Sequence, residues 1–349
     1  MKKFMHYFGE SFAVTVLFLA IAGFIGYKIN AVSGMLSAIM TTAMLGILET
    51  SLSFDNAVVN AKVLSNMSDF WRKMFLTVGM IIAVFGMRVV FPVVIVWAVS
   101  THGILDVIQL TWKNPKEFQD ILVAQHLKIA GFGGAFLWMV FAKFFFDTEK
   151  DSHWLAWLEK PMSAIGKMES VWIVFTVAIS YLASRFVHEG HGTEFFISAI
   201  AGVVTYLIVE GFSSLVESEE HEFESNAAAT VAKAGFASFM YLEVLDASFS
   251  FDGVIGAFAI TNNLAIIALG LGIGAMFVRS LTIKMVDDHT LTSYKFLEHG
   301  AFWAIGALAT IMYISATGRE IPEIVSGSIG FLLIAVAFVS SIIGNRAKV

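Results

Sequence analysis

Two short stretches carry carboxylates where the surrounding sequence is apolar. Residues 48–58 read LETSLSFDNAV and residues 242–254 read LEVLDASFSFDGV. Between them they supply Glu49, Asp55, Asn56, Glu243, Asp246 and Asp252. A charged side chain at the centre of a bilayer costs about 2.5–3.5 kcal/mol on insertion scales, so such groups face one another, an ion or a proton path. Carboxylate, amide and carbonyl oxygens are a donor set for hard divalent cations such as Mg²⁺, Ca²⁺ or Mn²⁺. Arg88 and Arg279, each alone in an apolar run, are candidate counter-charges for these acids. Glu298, His299 and Glu210 also fall within or beside apolar runs and make a candidate second ion or proton site.

The two stretches align. Ser51, Ser53, Phe54 and Asp55 fall on Ser248, Ser250, Phe251 and Asp252, and Glu49 falls on Asp246. Each copy is followed by a span holding one arginine, in GMRVVF and FVRSLT, and then by a span containing Gly-Ala-Phe. Three features in one order make an internal repeat of three spans, about 31–147 and 232–316. Glu49 and Asp55 lie six residues apart, about 120° around a regular helix and about 9 Å along it. One ion meets both only if the helix breaks. Ser51, Ser53, Asn56, Ser248, Ser250 and Gly253 are mediocre helix formers in mid-span. The expectation is therefore two discontinuous helices, broken near Asp55 and Asp252 at the membrane midplane.

The elements that must hold these groups are membrane spans. The chain has 349 residues, 57% of them hydrophobic and 14% charged, with mean hydropathy +0.77. Soluble domains run nearer 45–50% apolar and 25% charged. Ten apolar runs are long enough to cross about 30 Å of hydrocarbon. They give an all-α polytopic membrane protein. Its expected plan is a first transmembrane helix (1–30), repeat one (31–147), a connecting region (148–231), repeat two (232–316) and a last helix (317–349). The connecting region holds an amphipathic segment with Trp154 and Trp157 at the interface, two spans and the acidic loop ESEEHEFE. Five span positions separate the motif copies, and an odd number inverts one relative to the other. Most Lys and Arg fall on one side if both termini are cytoplasmic, as the positive-inside rule requires.

Several classes are excluded or weak. A net charge of −6 with no basic surface gives no nucleic-acid partner. The absence of Cys removes disulfides and thiolate chemistry. No Gly-rich phosphate loop supports ATP drive or an organic cofactor. HEGHGTE at 188–194 lacks the zincin spacing and reads as a solvated outer loop. No nucleophile and base pair points to an enzyme.

At Glu49, Asp55 and Asn56, and at Glu243, Asp246, Phe249 and Asp252, the sequence resembles the TerC family of integral membrane proteins. The resemblance covers about 31–316, and LEHGAFWAIG marks a longer branch. Leu242 and Gly253 depart from the family pattern, and Gly253 removes a hydroxyl that could serve as a ligand. The resemblance implies export of a divalent cation, Mn²⁺ first, across a bacterial inner membrane. Tellurite, for which the family is named, is an anion that this acidic core repels. Read together, the residues and the resemblance lead to a secondary transporter working by alternating access, with proton exchange as its drive. A membrane-embedded scaffold or stress-response subunit, braced by the same acids, is the alternative.

Overall fold

The computed structural model describes residues 2–150, 152–168, 170–187, 190–219, 227–319 and 321–346, and their side chains except at 2–3, 212–219, 227–234, 251–252, 323 and 345–346. Among the described residues every regular element is a helix. In chain order these are α1 (Lys2–Leu52), α2 (Phe54–Ser65), α3 (Asp69–Met74) and α4 (Phe91–Val99), α3 and α4 being joined by π-helical turns at Phe75–Gly79 and Ile82–Val90. Next come α5 (Ile104–Lys113), α6 (Pro115–Val123), α7 (His126–Phe145), α8 (Ala156–Ile165), α9 (Val171–Ser184), α10 (Gly192–Glu219) and α11 (Ala227–Phe258). The chain finishes with α12 (Leu264–Asp287), the short α13 (Thr290–Ser293), α14 (Leu297–Ala316) and α15 (Glu323–Arg346).

Seven of the described helices are long and apolar enough to cross a membrane. The first of them, Phe4–Leu52, is two limbs. The backbone reverses at Asn30 (φ −149°, ψ 49°) and Ala31 (φ 44°, ψ −137°). The limbs cross at Gly26 and Gly34, where a Cβ on Gly26 would lie 2.2 Å from the Gly34 carbonyl oxygen. Only glycine permits that approach. With α1 counted twice, and with the shorter apolar helix α9 and the motif helix α11, ten rods correspond to the ten runs read from the sequence. The outward surface is what lipid requires: Phe24, Met40, Ile47, Leu332 and Ile343 are all more than half exposed.

Contacts between rods give their directions. The second limb of α1 and then α2 run alongside α12, with Gly46 against Ile273 and Thr282 Oγ1 donating to the Ala57 carbonyl. The α3–α4 rod runs against α12, because Arg279 Nε donates to Leu76 O while Val84 packs near Gly272. The same rod runs alongside α11, with Phe75 meeting Phe239 and Gly79 meeting Glu243. Hence α1–α2 and α11, the two motif helices, are antiparallel. The Arg-bearing rods, α3–α4 and α12, are antiparallel too. So are α7 and α14, where Phe145 meets Trp303 and Gly134 meets Tyr313. All three corresponding pairs are inverted, the geometry of an inverted-topology repeat. The first limb of α1 stands outside the repeat and packs antiparallel on α12, through Ser11 with Ser280 and Phe18 with Gly272.

One expected break forms and the other does not. Between α1 and α2, Ser53 leaves helical geometry at φ −95°, ψ 27°. The second motif stays helical throughout α11. The hydroxyl of Ser248 bonds back to Val244 O at 2.9 Å, and its counterpart Ser51 bonds back to Ile47 O at 2.7 Å, so these serines sit in helix in both motifs and do not decide the break. In the first motif Asp55 Oδ1 takes the Asn56 backbone N–H at 2.9 Å, and α2 restarts at Phe54. An acid in the first turn favours such a restart.

Candidate functional site

The site lies where the Ser53 break meets α11 and the π-helical turns. Glu49 sits one turn before the break and is buried at 6% exposure. Its Oε1 accepts from Arg88 Nη2 at 2.5 Å. Arg88 is 3% exposed, and its Nη1 donates to Ala83 O, five residues back in the same rod. A π-helical turn shifts backbone hydrogen bonds out of the α register, and here one of its carbonyls receives the guanidinium. Glu49 and Arg88 thus form an ion pair inside the apolar core.

On α2, Asp55, Asn56 and Asn60 are all buried. Asn56 and Asn60 are four residues apart, so both amides project from one face. Asn56 Nδ2 donates to Asp246 Oδ1 on α11 at 2.6 Å. Asn60, one turn further on, lines one cavity together with that carboxylate. The Asn56–Asp246 bond ties the first motif to the second across the inverted repeat. Glu243, one turn before Asp246, lies against the π-turn glycine Gly79, where a Cβ would stand 2.5 Å from its Oε1. Both Glu243 oxygens are buried without a hydrogen-bond partner.

Two cavities flank the break. One, with about 50 Å³ open to water-sized molecules, is lined by Ser53, Asp55, Phe249, Ser326 and Gly330 among others. The second lies between α2, α11, α12 and the π-helical rod, and is lined by Asn60, Asp246 and Arg88 among others. Glu49, Ser53 and Asn56 line both, so the broken helix is the wall between them. Among the described residues no three His, Asp or Glu side chains converge as a metal cluster. The Asp252 side chain lies outside the described residues.

Other residues singled out in the sequence sit elsewhere. Arg279 does not pair with a motif carboxylate. Its Nη1 meets Glu10 at 2.7 Å and its Nε meets Leu76 O at 2.8 Å. Glu10 belongs to the first limb of α1, outside the repeat, which is why the two arginines are not used alike. Glu298, His299 and Glu210 do not form one site. Glu298 pairs with Lys62 of α2 at 2.9 Å, and Glu210 pairs with Lys143 at 2.7 Å. His299 Nδ1 instead meets Glu159 Oε2 at 2.9 Å.

Glu159 is the residue that sequence reading missed. It is fully buried on α8, where it accepts from Trp154 N at 3.0 Å, Leu155 N at 3.2 Å and Trp303 Nε1 at 3.2 Å, with Lys150 at 3.5 Å. Burial pushes its carboxyl up, but the hydrogen bond and charge of His299, with the Leu155 N–H and the Trp303 indole, outweigh that and hold it at about 2. Opposite it, Trp157 is 73% exposed. The expected amphipathic segment therefore docks through a buried acid, a detail that an acid two residues after Trp157 does not betray. Asn60 was also missed, although its i+4 spacing from Asn56 was legible.

With this geometry in view, comparison with known families is informative. Residues 54–348 match a family described as a protein of unknown function, DUF475. The chain belongs to the DUF475 family. The matched region includes α2, the π-helical rod and α11, hence most of the site in this DUF475 protein. Over 108 residues the chain is 30% identical to the uncharacterized membrane protein YceF of Bacillus subtilis strain 168. That stretch is 31% of this chain and 40% of YceF, so the chain spans about two fifths of that relative's length. No solved structure matches the DUF475 chain.

Proposed function

We propose that this DUF475 membrane protein is a secondary transporter for a divalent cation, with Mn²⁺ the first candidate and Ca²⁺ and Mg²⁺ behind it. The observation that carries the reading is the contact of two antiparallel acidic motifs inside the membrane core, through Asn56 and Asp246. Inverted repeats with a broken helix at their interface are the architecture of many secondary transporters. The residues that hold the cargo in this reading are Asp55, Asn56 and Asp246, with Glu49 joining once Arg88 releases it. Glu243 and Asp252 belong to the same acidic set. Arg88 is the counter-charge of the empty state, and proton exchange is the drive, because carboxylates release protons as a cation binds. The TerC resemblance supports export over uptake, from a bacterial inner membrane with both termini cytoplasmic.

One observation favours the alternative of a structural subunit. The Glu49–Arg88 pair is closed, and no three described acids converge. A scaffold uses its acids in that way.

Flux in proteoliposomes decides between them. Wild-type protein is expected to move Mn²⁺, with Ca²⁺, Mg²⁺ and Zn²⁺ as comparisons, and Asp55→Asn or Asp246→Asn to abolish flux while insertion is retained. Normal flux in both variants removes the site assignment. No flux of any divalent cation in the wild type removes the transporter.

A further inference from the structure

The second cavity contains oxygens that no neighbour uses. Asn56 and Asn60 are 7% and 4% exposed, both line this cavity with Asp246, and Asn56 turns its amide nitrogen to that carboxylate. The Oδ1 atoms of both are left buried with no hydrogen-bond partner. An unbonded amide oxygen in an apolar core is costly. Two of them, one helical turn apart on one cavity wall, are hard to account for as bracing alone. Hydrophobic residues would brace α2 against α11 without that cost.

We propose that Asn60 is a direct ligand and the selectivity-determining residue of a cation seat between α2 and α11, built from the amide oxygens of Asn56 and Asn60 with the Asp246 carboxylate. This rests on the transport reading and places the cargo one turn deeper along α2 than a seat between Glu49 and Asp55. The donor set is all oxygen, with one charge and two neutral dipoles. It suits a hard divalent cation that sheds only part of its water, and it offers no thiolate, thioether or imidazole of the kind that favours Zn²⁺ or Cu(I). Glu49 lines the same cavity and supplies the second negative charge when Arg88 leaves it. Binding at Asp246 would draw its carboxylate from the Asn56 amide N–H to the cation.

The test uses the full-length protein with Mn²⁺ as probe. Binding is read in detergent from loss of the free Mn²⁺ electron paramagnetic resonance signal, and transport in proteoliposomes. Asn60→Leu keeps the side-chain volume and removes the oxygen. It is expected to weaken Mn²⁺ binding and raise the KM for flux about tenfold, with unchanged insertion. Asn60→Asp keeps an oxygen ligand and adds a charge. It is expected to retain binding and to change the Mn²⁺ to Mg²⁺ preference by about threefold or more. Unchanged affinity and preference in both variants overturn the proposal. So does loss of binding in Asn60→Asp equal to that in Asn60→Leu, because the oxygen at that position then makes no difference. Wild-type protein that binds Mn²⁺ but moves none leaves the seat standing and removes the transporter.

Discussion

At the scale of single residues, Glu49 and Arg88 form an ion pair inside the core. Both partners are almost wholly buried, and each neutralises a charge that the other could not bear alone. Removing one member of a buried pair costs about 3–5 kcal/mol, whereas removing both can be close to neutral. Glu49→Gln is therefore expected to lower thermal stability in detergent strongly, and the double variant Glu49→Gln with Arg88→Gln to recover most of it. A loss in the double variant equal to the sum of the two single losses means that the pair contributes nothing beyond its two members. In the transport cycle proposed above, the pair also sets a cost. A cation that takes Glu49 must offset the loss of the guanidinium, and the Ala83 carbonyl offers Arg88 only part of its solvation.

At the scale of elements, three devices position the site: the break at Ser53, the π-helical turns that carry Arg88, and the docking of α8 on α14. The first turn of α14 holds α2 through Glu298 and Lys62, and holds α8 through His299 and Glu159. The amphipathic segment and the motif helix thus grip the same turn. Because the carboxyl of Glu159 falls in the folded protein from an ordinary value near 4.5 to about 2, its contribution is complete above about pH 4.5. That contribution is lost as pH falls from 4.5 towards 2. Limited proteolysis across residues 147–168 is expected to accelerate over that window in the wild type. Glu159→Gln is expected to be cleaved faster at neutral pH and to show little change across the window. A wild-type rate flat in pH contradicts the docking role. The break at Ser53 was read correctly in kind, but its counterpart at Asp252 was not. Both stretches share the same serine pattern, and Ser51 and Ser248 both bond back along the helix, so that pattern carries no record of where the chain breaks.

At the scale of the whole molecule, the inverted repeat makes one face of α2 meet one face of α11 from opposite directions. Positive-inside orientation places Lys62, Arg72 and Lys143 in the cytoplasm. The α4–α5 connection then lies outside. The chain has no cysteine, so single-cysteine labelling reads this cleanly. Ser65→Cys is expected to react with an impermeant maleimide only after the membrane is opened, and Thr101→Cys in intact cells. The reverse pattern flips the protein and with it the direction assigned to transport.

The sequence by itself determined the membrane class, the number of rods and the pairing of the two motifs. Composition and apolar run length follow from bilayer thickness, and a repeat is visible wherever residues recur in order. It placed Glu49, Asp55, Asn56 and Asp246 in one neighbourhood, since buried acids need company. Only the tertiary structure decided who keeps that company. Arg88 goes to Glu49 and Arg279 goes to Glu10, because the first limb of α1 covers α12 and, among the described residues, nothing equivalent covers the α3–α4 rod. Asn60 enters the site because α2 restarts after Ser53 and turns its i+4 face to the cavity it shares with Asp246. Glu159 leaves solvent because α8 folds back onto α14. Partner choice depends on contacts between residues far apart in the chain, and local spacing carries no record of those.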